Sequence, residues 1–306
     1  WDSKMNPEPD RPIQASSGEV RLRTLDTIGE MSQLVHLQRE IWGYGQPDTD
    51  FPYPARALFA LAESGGHVGG AFLDDLPVGL SVAWRGVDPV SQMPYLHSQL
   101  LGVRKEHRHL GIGFQLKLYQ REFALEANLE VVQWVFDPMR SVNANLNVRK
   151  LGAVIPAYHP DYYGSLQSHF SRGLASDRVW AHWYVASSRV RQRLLHPLPL
   201  LKREPPLVQV TVWGADNEGN KTLMDPDLEC SQPEFLVEVP DDFDAIFQED
   251  LSLAVDGQAR IRKIFQHYFN QGYLAADFLV VSGPPRRSFY LFTKTPLEQI
   301  LKSIGN

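Results

Sequence analysis

The chain has 306 residues, enough for two domains of ordinary size, and its 43% hydrophobic and 22% charged residues support a packed core. A net charge of −6 disfavours nucleic-acid binding as the main role, and a single cysteine, Cys230, excludes a disulfide within the chain. No run of eighteen apolar residues is present, and the polar, Pro- and Ser-rich start lacks the apolar core of a signal peptide, so no membrane span and a cytoplasmic location are expected.

Residues 1–19 are expected to form a flexible N-terminal segment. Residues 20–25 alternate as a first strand. Thr27 with Glu30 makes a capping box, and Ile28, Met31, Leu34, Val35, Ile41 and Trp42 form the stripe of the helix it opens. Pro47, Pro52 and Pro54 make residues 43–54 a loop. The aromatics there, Trp42, Tyr44, Phe51 and Tyr53, suit the wall of a substrate pocket or ordinary packing. A short helix over 55–62 ends at Gly65-Gly66, and strands over 67–73 and 78–84 flank a turn. A strand over 95–103 follows, then a helix to about Ala127 that Asn128 closes. Next come a strand to Phe136 ended by Asp137-Pro138, a helix over 142–150 ended by Gly152, and strands over 153–158 and 179–185. The fold class is therefore α/β: a mixed sheet with helices on both faces, in the order β-α-α-β-β-β-α-β-α-β-β.

Residues 188–206 are basic and Pro-rich and read as a helix passing into a linker, with Arg189, Arg191, Arg193, Lys202 and Arg203 as a solvated face. Residues 207–306 read as a smaller α+β unit. It has strands over 207–213, 222–224, 235–239, 273–281 and 288–293, a turn at 217–220, and a helix striped by Ile261, Ile264, Phe265, Tyr268 and Phe269. Asp256-Gly257 is placed just before that helix.

The most informative stretch is LLGVRKEHRHLGIGFQ, residues 100–115. A buried strand end, a basic turn, Gly111, Gly113 and a helix start make an anion site: unpaired N–H groups, close approach at glycine, and the positive end of a helix dipole. Arg104, Lys105 and Arg108 add charge, and a phosphate or pyrophosphate is the natural guest. A dinucleotide fingerprint would need glycine where Leu116 stands, and a P-loop would need Gly-Lys-Ser/Thr. Glu106, His107 and His109 do not have zinc spacing, so no metal is expected, and no Gly-x-Ser-x-Gly elbow is present.

The Arg-x-x-Gly-x-Gly of Arg108 to Gly113 after a Leu-x-Val strand end resembles the pyrophosphate loop of the GNAT (Gcn5-related N-acetyltransferase) superfamily. VVQWVFDP and SVNANLNVRKLGA extend the resemblance over about 20–187. Together with LHSQLLGV they are similar to a bacterial group of predicted acyltransferases with long C-terminal extensions. The resemblance implies a GNAT acyl-CoA-binding catalytic domain over 20–187, a linker over 188–206, and a C-terminal unit over 207–306 that could be a degenerate GNAT-like half. It implies an N-acyltransferase using acetyl-CoA or another acyl-CoA as co-substrate and a small primary amine, such as an amino acid, as acceptor. Succinyl transfer and a non-catalytic acyl-CoA sensor are the alternatives. No nucleic acid or membrane partner is implied, and a homodimer is left open.

In that reading Leu101, Gly102 and Val103 pair with the pantetheine. Backbone groups of Arg108, His109, Leu110, Gly111, Ile112, Gly113, Phe114 and Gln115 cradle the pyrophosphate, and Asn143 and Asn147 bond CoA or cap the neighbouring strand end. His97 has a pKa range suited to an amine base, with a structural histidine as the alternative. Alternation places it on one face with Gln99 and Leu101. Asp137 orients the ammonium or relays protons, or else simply forms the turn. The superfamily's usual tyrosine acid falls at Val148, so either Tyr158, Tyr162 or Tyr163 replaces it or the thiolate leaves without a dedicated acid.

Overall fold

The computed structural model describes residues 11–15, 18–45, 51–164, 173–215 and 221–302. From β2 to β8 the elements follow the expected order. The chain separates into two compact units at Gln133/Trp134.

The first unit holds β1 (Arg11–Ala15), β2 (Gly18–Thr24), α1 (Ile28–Trp42), α2 (Ala55–Glu63), β3 (His67–Leu73), β4 (Leu76–Val87), β5 (Pro94–Val103), α3 (Ile112–Glu126) and the start of β6 (Val131–Phe136). Its strands lie in sequence order, antiparallel up to β5, while β6 runs parallel to β5. That parallel pair needs a long crossover, and α3 provides it. The capping box forms: Thr27 Oγ1 accepts from Glu30 N at 3.3 Å, and Glu30 Oε2 accepts from Thr27 N at 3.1 Å. Helix α1 buries Met31, Leu34, Leu37 and Ile41 on one face of the sheet, against Val68, Leu80, Val82 and Leu100. Helix α3 buries Ile112, Leu116 and Tyr119 on the other, against Val20, Ala71, Val78 and Val103.

The second unit holds the end of β6, α4 (Ser141–Ala144) running into a π turn (Asn145–Lys150), β7 (Val154–His159), β8 (Arg178–Tyr184), α5 (Ser188–Leu195), β9 (Gln209–Val210), β10 (Trp213–Ala215), β11 (Lys221–Leu223), β12 (Glu234–Val239), α6 (Phe243–Glu249), α7 (Leu251–Asn270), β13 (Leu274–Val281), β14 (Arg287–Thr293) and α8 (Leu297–Lys302). Its main sheet runs β8-β7-β13-β14-β12-β9, and β10 and β11 form a separate hairpin. Phe235, Phe265, Tyr268 and Phe292 form its aromatic core, with ring centroids 4.4 to 6.3 Å apart.

Several expectations change here. Within the segment 1–19, Arg11–Ala15 is a strand paired with β2. The compact units do not divide at 188–206, because Ile155 of β7 pairs with Ala275 of β13 and joins the two parts of the second unit. Residues 188–195 are the expected helix, and Arg191, like Lys202 and Arg203 beyond it, is exposed, but the basic face of α5 is solvated only in part. Its Arg189 and Arg193 are buried and converge on Asp277, with Arg193 at 2.7 Å and Arg189 at 3.7 Å. Arg193 also donates to the carbonyls of Val148 and Arg149, at 3.2 and 2.6 Å, which satisfies the end of the π turn. Helix α7 starts ten residues before its apolar stripe, at an Asp250 cap that accepts from Leu253 N at 2.9 Å. Gly257 is thus interior to α7, and a Cβ there would lie 2.3 Å from the Trp213 ring. The expected strand 207–213 breaks into two short pieces, β9 and β10. The expected turn at 217–220 and Pro47 lie outside the described residues.

Asp277→Asn leaves two buried guanidinium groups without their shared carboxylate. Chemical denaturation should show a loss of about 3–5 kcal/mol, and a loss under about 1 kcal/mol would mean that the pair is in effect solvated.

Candidate functional site

The predicted anion turn folds as a 3-10 turn over Lys105–Leu110, followed by Gly111 with φ 74°, which is both the end of that turn and the N-cap of α3. A left-handed backbone here suits glycine, and no atom lies within 4 Å of where its Cβ would stand. The carbonyl of Gly111 accepts from the N–H groups of Phe114 and Gln115 at 3.1 and 3.2 Å. Those two donors therefore serve the helix. The donors that a helix start leaves outward are those of its first residues, at the Gly111–Gly113 end. His109 and Gly111 are exposed, and Leu110 and Gly113 are half-buried. Arg108 is exposed and donates Nε to Val103 O at 3.2 Å, which ties the turn to the strand end. Arg104 is held by Glu40 of α1 at 2.8 Å, while Lys105 stays exposed beside Arg108.

Strand β5 carries the other half of the site. Ser98 pairs with Ala83 and Leu100 with Val82, so Gln99 is an extra residue, a β-bulge. The bulge corrects the simple alternation. His97 stacks on Trp84 at 5.6 Å and donates Nε2–H to Gln99 Oε1 at 3.0 Å. Leu100 then packs on the α1 face and Leu101 on the α3 face, so Leu101 does not share the face of His97. The ladder between β5 and β6 pairs Leu96 with Val132 and His97 with Gln133. Gly102, nearer the turn, lies under α1: a Cβ there would be 2.8 Å from the Trp42 ring. Burial lowers the pKa of His97, the Gln99 bond opposes this, and the charge of Lys117 lowers it further.

The loop aromatics divide. Trp42 covers Gly102 and stacks with Tyr44 at 5.5 Å. Tyr53 packs near Trp84, and its backbone N–H donates to Gln38 at 2.9 Å. Phe51 is 85% exposed and lines a cleft of about 570 Å³ with Val35, His36 and Arg39.

Asp137, Asn143, Asn147 and Tyr158 belong to the second unit. Asp137 accepts from Met139 N at 2.9 Å and lies 3.4 Å from Arg140, a turn held by its own first residue. Burial raises its pKa, against the pull of Arg140 and Arg178. Asn143 is half-buried at the α4 end and Asn147 buried in the π turn. Tyr158 is buried and donates its hydroxyl to Asp177 at 2.5 Å, and burial and that carboxylate hold its pKa far above the ordinary value. Such a phenol gives up its proton less readily than a free one. Tyr162 and Tyr163 are exposed, and Val148 is core.

A group that the sequence reading missed lies under α3, on the sheet face opposite His97. Lys117 is 1% exposed and donates Nζ to Ser98 Oγ at 2.7 Å and Gln120 Oε1 at 3.1 Å. His67 Nε2 is 2.8 Å from Ser81 Oγ, and Tyr119 OH is 2.8 Å from Thr24 Oγ1. Gly113, Lys117, Gln120 and Ala124 share one helical face, and their polar, small character reads as a solvent edge in sequence.

No family model and no curated protein matches this chain. Among solved structures it is similar to an aminoglycoside acetyltransferase from an uncultured soil metagenomic sample, at 21% identity over 39% of this chain and 78% of that one, TM-score 0.34. It is also similar to a putative acetyltransferase from Acinetobacter baylyi, at 17% identity over 53% and 91%, TM-score 0.43. A third is the ribosomal-protein-S18-alanine N-acetyltransferase from Escherichia coli, at 9% identity over 55% and 96%, TM-score 0.42.

His67 gives a test of the buried face. Burial, and then the charge of Lys117, lowers its pKa from 6.5 to about 3. The folded value is below the unfolded one, so the full stability stands above pH 6.5 and is lost as pH falls toward about 3. The expected slope is roughly 1.4 kcal/mol per pH unit. His67→Gln should flatten that fall, measured by denaturant unfolding at about pH 4 and about pH 7. Equal acid sensitivity in both proteins would contradict it.

Proposed function

We propose that this chain is an acyl-CoA-dependent N-acyltransferase that takes the CoA pyrophosphate at the turn before α3 and the pantetheine along β5 from Leu101 to Val103. The observation that carries this reading is Gly111: a left-handed N-cap with open space over it, beside two exposed cations, at the start of a fifteen-residue helix. The bulged strand supports it, since an extended ligand adds to a strand edge through backbone hydrogen bonds.

The acceptor we propose is a small primary amine such as an amino acid, and acetyl is the default acyl group. His97, neutral at neutral pH because its pKa is lowered, takes a proton from the acceptor ammonium, directly or through water. The amine nitrogen attacks the thioester carbonyl carbon, and a backbone N–H near Leu101 stabilises the oxyanion. The C–N bond forms, the C–S bond breaks, the nitrogen releases its second proton, and the departing CoA thiolate takes a proton up, so that amide and CoA thiol result. This direct transfer needs no activated cysteine.

Gly111→Glu puts a carboxylate and a strained backbone at the anion site. It should abolish CoA binding by calorimetry while the circular dichroism spectrum stays native, and unchanged affinity would refute the site. Turnover is tested by CoA-thiol release from acetyl-CoA and succinyl-CoA across a panel of amines. Binding with no turnover on any amine would favour a sensor.

His97→Ala should lower kcat/KM at neutral pH about a hundredfold and regain much of it at high pH, where the amine deprotonates unaided. In the unmodified enzyme the acid limb of the kcat/KM profile should titrate below 6.5. A pH-independent loss would assign His97 to packing.

A further inference from the structure

We propose that Lys117 is a positioning residue for β5. It ties helix α3 to the bulged strand through Ser98 and thereby fixes His97 and Gln99 on the opposite face of the sheet. This rests on the acyltransferase reading for its effect on turnover, but not for its effect on His97 itself.

The connection runs through consecutive residues. Lys117 Nζ donates to Ser98 Oγ at 2.7 Å. Ser98 is flanked by His97 and the bulge residue Gln99, whose side chains bond each other at 3.0 Å. A bulge is a soft point in a ladder, since the extra residue is left out of the pairing. The tether holds the residue beside that point. Gln120, fully buried one turn along α3, accepts from the same amine at 3.1 Å, so the donor direction is fixed from the helix side as well. A long lysine stem buried to its tip is unusual unless its amine is bonded. Here its bonds cross from the helix that carries the anion site to the strand that carries the proposed base.

On the α3 face Lys117 acts on His67, which is bonded to Ser81, and Tyr119 is bonded to Thr24. On the other face His97 meets Trp84, Tyr95 and Gln99. Arg85, next on β4, lies over Phe123 at 5.7 Å. The charge of Lys117 also reaches His97 and opposes its protonation, so the two bases compete for a proton through the sheet.

The test uses Lys117→Met, which keeps length without donor or charge, Ser98→Ala, which removes only the acceptor, and the double variant. Both single variants should lower kcat by about ten- to a hundredfold and leave KM for acetyl-CoA within about twofold, since residues 104–113 are untouched. The double variant should be no worse than the worse single one, because both cut the same tether. In Lys117→Met the His97 imidazole, followed by NMR over pH in the full chain, should titrate higher than in the unmodified protein. In Ser98→Ala, which keeps the competing amine, it should not. Unchanged kcat in either variant, additive losses, or an unmoved His97 midpoint in Lys117→Met would overturn the assignment. If Lys117→Met fails to fold, Ser98→Ala alone decides through kcat. If no amine turns over, the acyltransferase reading fails, and the His97 ring signals of Ser98→Ala at a fixed pH decide this one: shifted or broadened signals support the tether, and signals identical to the unmodified protein overturn it.

Discussion

An extra residue in β5, Gln99, controls which way each side chain of that strand points. Before it, Ser98 faces α3 and His97 faces Trp84; after it, Leu100 faces α1 and Leu101 faces α3. Without the bulge, Leu100 would leave the α1 cluster and Leu101 the α3 cluster, and both faces of the first unit would lose a packing residue at once. The two glycines at the turn-side end of the same ladder complete the arrangement. Gly79 sits under Ile112 and Leu116 on one face, and Gly102 under Ile41 and Trp42 on the other, so helices close on β4 and β5 from both sides. The proposed base, the strand edge and the anion turn all hang on that one strand.

The parts of the fold that follow from local chemistry were legible in the sequence. The capping box of α1, Pro54 at the start of α2, the Asn128 turn with φ 56° and the strand–turn–helix at Gly111 each rest on a residue type suited to one backbone conformation. What depended on distant partners was not. A bulge leaves no mark in the hydropathy of LHSQLLGV. Arg189 and Arg193 look like solvent residues until Asp277, more than eighty positions later, supplies their partner. The first turns of α7, SLAVDGQ, carry a glycine that breaks helical patterning, and only the Trp213 ring above Gly257 explains its place. Lys117 and Gln120 were hidden by the same logic: polar residues read as surface unless the opposite wall is known.

The cations are thereby sorted. Arg104 is committed to Glu40, Arg262 to Asp177 and Arg193 to Asp277, while Lys105 and Arg108 remain exposed at the turn. On a chain of net charge −6, a small exposed pair of this kind favours a compact anion over an extended polyanion.

The two helices that flank the first sheet are held by different means. The α1 side is a hydrocarbon cluster with the amide of Gln38 set into it, and the imidazole on that sheet face, His97, is only half-buried. The α3 side mixes hydrocarbon with buried bases, Lys117 and His67, whose protonation in that place is costly. Acid therefore acts more strongly on the α3 layer, whose bases are fully buried, than on the α1 layer. The free energy of local opening, uniform in neither case, drops further for α3 than for α1, so the segment that begins at Gly111 would be the earliest subglobal unit to come away from the sheet as the medium acidifies.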